Sequence, residues 1–199
     1  MIKKKYLTKE YIRKGRSVSD IAIELKCSQS KVTYWIQKHN INKRSISDAL
    51  YLKNNPNGDP FNFQKPCRKE EWFLYGMGLG LFWGEGNKAN KQSVRLGNTD
   101  PELIGYFIKF LTEIYEIDKS RLRFGIQIFS DVSKEESLNF WMKKLDAPKN
   151  KFQGIVVTPS RKKGTYRNRN KHGVLTVYFS NTKLRDIIVG AIDDLKIQL

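Results

Sequence analysis

A single carboxylate and two groups of basic and polar residues are where this sequence could do chemistry. Glu85 is the only acid in the stretch Leu74 to Gly86, LYGMGLGLFWGEG, and stands near its end. Lys149 to His172 holds eight lysines and arginines and no acid. Its centre carries Arg161, Lys162, Lys163, Arg167, Arg169 and Lys171 between two expected strands, an extended basic hairpin suited to neutralising phosphates. Asn168, Asn170 and the arginines could also reach base edges. A solvated loop would use the same residue types, but eight unopposed charges repel one another and favour an anionic partner. This feature does not separate DNA from RNA. The second group is Gln29, Ser30, Lys31, Thr33 and Tyr34, on the outward side of an expected helix. There Gln29 could pair with an adenine edge, while Ser30 and Thr33 could bond bases or phosphates.

The element that must position Glu85 is unusual in composition. A glycine inside a helix costs about 1 kcal/mol relative to alanine. Gly76, Gly80 and Gly84 are four apart, so a helix stacks them on one face. A face without side chains admits a second backbone very closely, which predicts a tight helix–helix contact with Glu85 at its foot. The run is too short to span a bilayer, which needs about 20 apolar residues. A buried glycine-rich helix ending in a capping glutamate is the other reading of these residues.

The nine residues GLGLFWGEG resemble the signature helix of the LAGLIDADG homing endonucleases. Gly80 falls on the first motif glycine, Glu85 on the acid and Gly86 on the last glycine. Trp83 stands where the family has its first Asp. The resemblance implies that two such helices pack side by side. With one copy per chain it implies a homodimer seamed along Gly76, Gly80 and Gly84. It further implies a divalent metal, Mg²⁺, held by Glu85 and the Gly84 carbonyl, and hydrolysis of phosphodiesters in double-stranded DNA. Lys88, Lys91, Arg95 and Gln127 are the candidates for a supporting polar or basic group, and spacing selects none of them.

Residues 6 to 39 read as three short helices. Thr8 caps the first and Gly15 ends it. Ser17 or Ser19 caps the second, with Ile21, Ala22 and Leu25 inward. A break at Lys26-Cys27-Ser28 leads to the third, Gln29 to His39, with Val32, Trp35 and Ile36 inward. This pattern resembles the helix-turn-helix of DNA-binding regulators and resolvase-like recombinases. Lys26 stands where that motif usually has glycine, a left-handed position that costs more for lysine but is not forbidden. The resemblance implies that the third helix enters the major groove by its N-terminal half. A small helical bundle with a solvated basic face is the alternative.

From Gln92 onward strands and helices alternate. Asp100-Pro101 and Ser133 with Glu136 start helices, while Phe152 to Thr158 and Val174 to Ser180 read as a long hairpin. A strand–Asn–Thr–helix unit at Val94 to Leu111 echoes at Val177 to Leu195. The fold class expected is therefore α+β. A helix-turn-helix domain at 1–44 and a linker at 45–70 precede a LAGLIDADG-like mixed α/β domain at 71–199, whose saddle-shaped antiparallel sheet lies across DNA. The family core has paired strands after its signature helix; only one is legible here before the next helix.

Thirty-seven lysines and arginines against twenty acids give +17, an excess typical of nucleic-acid binders. The apolar content suffices for a packed core. No apolar leader is legible at the N-terminus. Cys27 and Cys67, without a CxxC, read as free thiols rather than a zinc site. These features predict a cytoplasmic, nucleoid-associated prokaryotic protein with no membrane partner and no small-molecule cofactor. The first two functions to weigh are a homodimeric site-specific endonuclease and a non-catalytic DNA-binding regulator on a degenerate LAGLIDADG scaffold. A maturase-like RNA-binding role is a third.

Overall fold

The N-terminal residues assemble their helices around Ile2, Leu7, Tyr11, Ile21, Ala22, Val32 and Ile36, all buried. The computed structural model describes residues 1–160 and 171–197. It divides into two compact units, Met1–Pro60 and Phe61–Leu199. In the first, α1 (Lys4–Leu7) passes without a break into a π-helical stretch, Thr8–Arg13. Thr8 has helical torsions (φ −60°, ψ −42°), so it is not the expected cap; the helix has already begun at Lys4. α2 (Val18–Glu24) starts on a reciprocal cap. The Ser17 hydroxyl accepts from the Asp20 N–H, and the Asp20 carboxylate accepts from the Ser17 N–H.

Lys26 takes the left-handed conformation expected of it (φ 48°). Ser28 then caps α3 (Gln29–Lys38) by accepting from the Lys31 N–H at 3.2 Å. Leu25, expected inward, is 36% exposed. It ends α2 with torsions outside the helical range, so the helical period no longer aims its side chain. α4 (Ile46–Asn54) lies within the stretch expected as linker and buries none of its residues. Arg44 closes this unit. Its guanidinium donates to the Tyr11, Gly15 and Arg16 carbonyls and lies 4.1 Å from the Tyr11 ring centroid. A cation there satisfies carbonyls left open where the first helical run ends.

The second unit begins with residues of the expected linker already docked. The Asn62 and Gln64 N–H groups donate to the Tyr115 and Ile114 carbonyls, each at 2.8 Å. α5 (Lys69–Glu85) follows. Its start is fixed by Glu71, whose carboxylate accepts from the Cys67 N–H (2.9 Å), the Arg68 N–H (3.2 Å) and Arg68 Nε (2.8 Å). These bonds, the Cys67 N–H first, hold the Glu71 carboxyl down at about 2. A depressed carboxyl stabilises the fold above its ordinary value near 4.5, and that contribution is lost as pH falls toward about 2. Glu71→Gln should therefore melt below wild type at pH 7 and converge with it near pH 2. Equal melting temperatures at pH 7 would show that the cap contributes nothing.

α6 (Pro101–Glu113) is capped by Asp100, which accepts from the Glu102 and Leu103 N–H groups. It packs on α5 so closely that a Cβ added at Gly78 would lie 2.1 Å from Phe110 Cγ. The Phe82 and Phe107 rings stack across this contact with centroids 6.0 Å apart. α7 (Lys134–Leu145) starts at Ser133, whose hydroxyl accepts from the Glu136 N–H, and stops at Asp146 in the left-handed region (φ 47°). α8 (Thr182–Ile197) starts where the Asn181 side-chain oxygen accepts from the Leu184 N–H at 2.8 Å. It buries the narrow stripe Leu184, Ile188 and Ile192. Ile187 and Leu195, beside that stripe, are 36% and 39% exposed.

The helices of this unit cover one face of a four-stranded sheet of β1 (Val94–Asn98), β2 (Arg123–Phe129), β3 (Phe152–Thr158) and β4 (Val174–Phe179). The spatial order is β1-β4-β2-β3. β4 is antiparallel to β1 and β2, whereas β2 and β3 are parallel. The sheet is therefore mixed, not the antiparallel one expected, and β3 and β4 do not form a hairpin. Burial parallels the exchange. β4, in the middle of the order, alternates fully buried Leu175, Val177 and Phe179 under the helices with residues on the outer face. β3 buries no residue fully and takes the edge. Beyond β1 the ladder continues for one residue: Gly86 bridges Leu96, and the Asn87 N–H donates to the Arg95 carbonyl at 2.9 Å. A short return thus follows α5 where sequence pattern shows no strand.

Candidate functional site

The foot of α5 holds Glu85 in the open. Its carboxylate is exposed and makes no hydrogen bond or ion pair among the described residues. It sits at a helix C-terminus, where the unpaired carbonyls present partial negative charge and favour a cation. Lys88 occupies part of that end, its ammonium donating to the Trp83 carbonyl. Arg185, at the start of α8, donates to the Lys88 carbonyl and pairs with Asp186 at 2.9 Å. These two cations fix the chain just after Glu85. Lys88, a candidate for the supporting basic group, is given a capping bond by the structure, and sequence pattern does not reveal Arg185 as a neighbour at all. Among the described residues no group of three or more His, Cys, Asp or Glu converges as a metal site. The foot of one α5 therefore offers one carboxylate, Glu85.

The glycine ridge leading to Glu85 is bare. Gly76, Gly80 and Gly84 are exposed, and a Cβ added at any of them meets nothing within 4 Å. Phe73, one turn earlier, is 69% exposed, and Trp83 is also exposed. Gly78 is the opposite case, pressed against α6. The helix thus has two glycine faces, one used inside the unit and one left to solvent.

In the first unit, α3 brings Gln29, Ser30, Lys31, Thr33 and Tyr34 together away from buried Val32 and Ile36. Gln29 Nε2 reaches Ser19 Oγ at 3.4 Å, and Lys38 Nζ lies 5.0 Å from the Trp35 ring centroid. An open hollow of about 530 Å³ at the α2–α3 turn is lined by Ser19, Ile23, Lys26 and Gln29, among others.

The outer face of the sheet adds residues that only the strand order assembles. Arg95 and Arg123 both stand opposite Tyr178, one from each neighbouring strand. The Arg95 guanidinium lies 5.0 Å from the Tyr178 ring centroid, and Arg95 Nε donates to Ser93 Oγ at 2.6 Å. In the next row Gly97 and Gly125 flank Thr176. Tyr178 lies down over Gly125, where a Cβ would come 2.9 Å from its hydroxyl oxygen. The result is a shallow groove of about 290 Å³ lined by Gly125, Gln127, Gln153, Gly154, Thr176 and Tyr178, among others. Gln127 is held there by Thr158 Oγ1 at 3.1 Å.

Of the basic segment, Lys171 is exposed in a turn; Arg161, Lys162, Lys163, Arg167 and Arg169 lie outside the described residues. Both cysteines are free thiols. No helix among the described residues is long and apolar enough to cross a membrane. No family model, no curated protein and no solved structure matches the chain.

Proposed function

We propose that this chain is a site-specific double-stranded DNA-binding protein that works as a homodimer of the LAGLIDADG type and hydrolyses phosphodiesters with Mg²⁺. The observation that carries the reading is the bare ridge of Gly76, Gly80 and Gly84. A helix that leaves three glycines facing solvent has accepted their helix cost without using the space inside its own unit. A second α5 laid along that ridge uses it, and brings two Glu85 carboxylates together. α3 then reads the major groove through Gln29, Ser30, Lys31, Thr33 and Tyr34. The outer face of the sheet lies along the duplex, with Arg95 and Arg123 toward phosphates and Gln127 toward base edges.

The donor set fits a divalent cation shared between copies. Glu85 is exposed and unpaired among the described residues, and the Gly84 carbonyl belongs to the open last turn of α5. Two carboxylates brought close repel one another, and a cation between them offsets that repulsion. When bound, Mg²⁺ supplies water activation and charge stabilisation at the scissile phosphate. The chain's own part is to hold the two acids at the helix feet, with Lys88 and Arg185 fixing the segment that follows.

The test is cleavage of a plasmid library with Mg²⁺. Wild type should nick it, and Glu85→Gln should lose about two orders of magnitude in rate, the scale for removing one group that stabilises developing charge. No nicking by wild type at any site rejects the enzyme. Glu85 standing alone, with Trp83 where the family has its first Asp, favours a second reading: a regulator that keeps the scaffold without the chemistry. Salt-sensitive DNA binding indifferent to Glu85→Gln, with no cleavage, would establish it.

A further inference from the structure

We propose that the corner where β2 and β3 begin is an anchor for the phosphodiester backbone of duplex DNA. Because these strands are parallel, their starts lie at the same end of the sheet. A short 3₁₀ turn precedes each, Lys119–Arg121 before β2 and Lys149–Lys151 before β3. The pairing therefore gathers Lys119, Arg121, Arg123, Lys149 and Lys151 from two distant stretches of chain.

Two of these cations share one acceptor. The Ser120 carbonyl takes a bond from Arg123 Nη1 at 2.7 Å and another from Lys151 Nζ. A guanidinium and an ammonium converging on one oxygen repel each other, and an anion placed before them offsets that cost. The acid nearest in sequence, Asp118, lies within electrostatic reach of Arg121 and Lys151, but its hydrogen bonds go to Ser120 and it leaves five cations against one acid. Its carboxylate accepts from the Ser120 N–H at 2.9 Å, a bond that caps the first turn. Lys119, Arg123, Lys149 and Lys151 make no salt bridge among the described residues. Lys119 and Lys149 are exposed, whereas Arg123 and Lys151 are half-buried and held in place by the carbonyl they share.

The corner also continues a line. Across the sheet from Arg123 stand Tyr178 and then Arg95. Cations in a row suit a repeating anion better than a lone phosphate, and a nucleic-acid backbone is that anion. This inference rests on the reading that the chain binds DNA; it requires neither cleavage nor a dimer. It assigns the anchor to residues outside Arg161 to Lys171.

The experiment is duplex DNA binding by the full chain over a range of salt, comparing wild type with the double variant Lys119→Gln, Lys149→Gln. Both side chains are exposed and make no salt bridge among the described residues, and a thermal melt confirms that the variant is folded. The slope of log affinity against log salt should flatten by about two, one for each phosphate no longer neutralised, and binding should weaken alike on all sequences. Lys109→Gln, on α6 and outside the corner's residues, should leave the slope unchanged. A steep wild-type slope that the double variant retains overturns the corner and leaves DNA binding standing. A wild type that does not bind duplex DNA, or holds only heparin or anionic vesicles, overturns both.

Discussion

Gly78→Ala should melt the second unit about 7 °C below wild type, while Gly80→Ala should melt it about 3 °C above. The two glycines are neighbours on one helix, and a propensity scale treats them alike. Either change gains about 1 kcal/mol of helix preference. At Gly78 the new methyl must occupy space already filled by the Phe110 ring, at 2.1 Å from Cγ. Phe110 is fully buried and hemmed in by Phe107 and Tyr115, so it has nowhere to retreat. Overpacking of this kind costs about 3 kcal/mol, which outweighs the gain. At Gly80 the methyl enters empty space. A position where alanine stabilises the isolated unit, yet glycine stands, is better explained by something that covers it. Gly80→Leu should accordingly leave the unit folded and shift sedimentation from dimer to monomer. A leucine variant that still sediments as a dimer would remove the ridge as the seam.

Trp141→Ala should destabilise the same unit by about 4 kcal/mol, with the midpoint of denaturant unfolding falling and its slope unchanged. Trp141 is fully buried, and its Nε1 donates to the His172 carbonyl at 2.9 Å. The ring packs edge-on against Phe140, which itself stacks on the His172 imidazole with centroids 3.8 Å apart. Truncation leaves both a cavity and a partly buried carbonyl without its donor. Trp141→Phe separates these. It restores much of the volume but not the bond, and should cost about 1–2 kcal/mol. If the phenylalanine variant is as unstable as the alanine one, the hydrogen bond and not the volume holds α7 to the segment before β4.

Local features of the chain were legible because local rules set them. Asp100-Pro101, Ser133 and Ser17 each start a helix as their side-chain oxygens dictate. Lys26 takes the left-handed turn that its neighbours require. What was not legible depends on residues far apart. β3 and β4 follow one another and look like a hairpin, but the more apolar β4 is drawn to the centre of the sheet. The rows Arg95–Tyr178–Arg123 and Gly97–Thr176–Gly125 exist only once that order is known. Arg44 reads as one more basic linker residue until its three carbonyl partners are seen. At the candidate site the helix and the stacking of Gly76, Gly80 and Gly84 on one face were legible from glycine spacing, and Glu85 from its place at the end of that run, but the tight contact within the unit falls at Gly78 instead. The cations fixing the segment beyond the acid were not legible, because one of them comes from α8.

The strand order has a consequence for how this chain is made. Among the described residues, of strands consecutive in sequence only β2 and β3 lie side by side: β1 and β2 are separated by β4, and β3 and β4 by β2. A nascent chain that has left the ribosome through β3 can lay that strand beside β2, but β1 must wait. Only when Val174 to Phe179 emerges can the middle of the sheet close. Sheets assembled from such remote partners fold slowly and expose unpaired backbone meanwhile. Synthesis halted before Val174 should therefore yield a sticky, chaperone-dependent fragment rather than a smaller working unit.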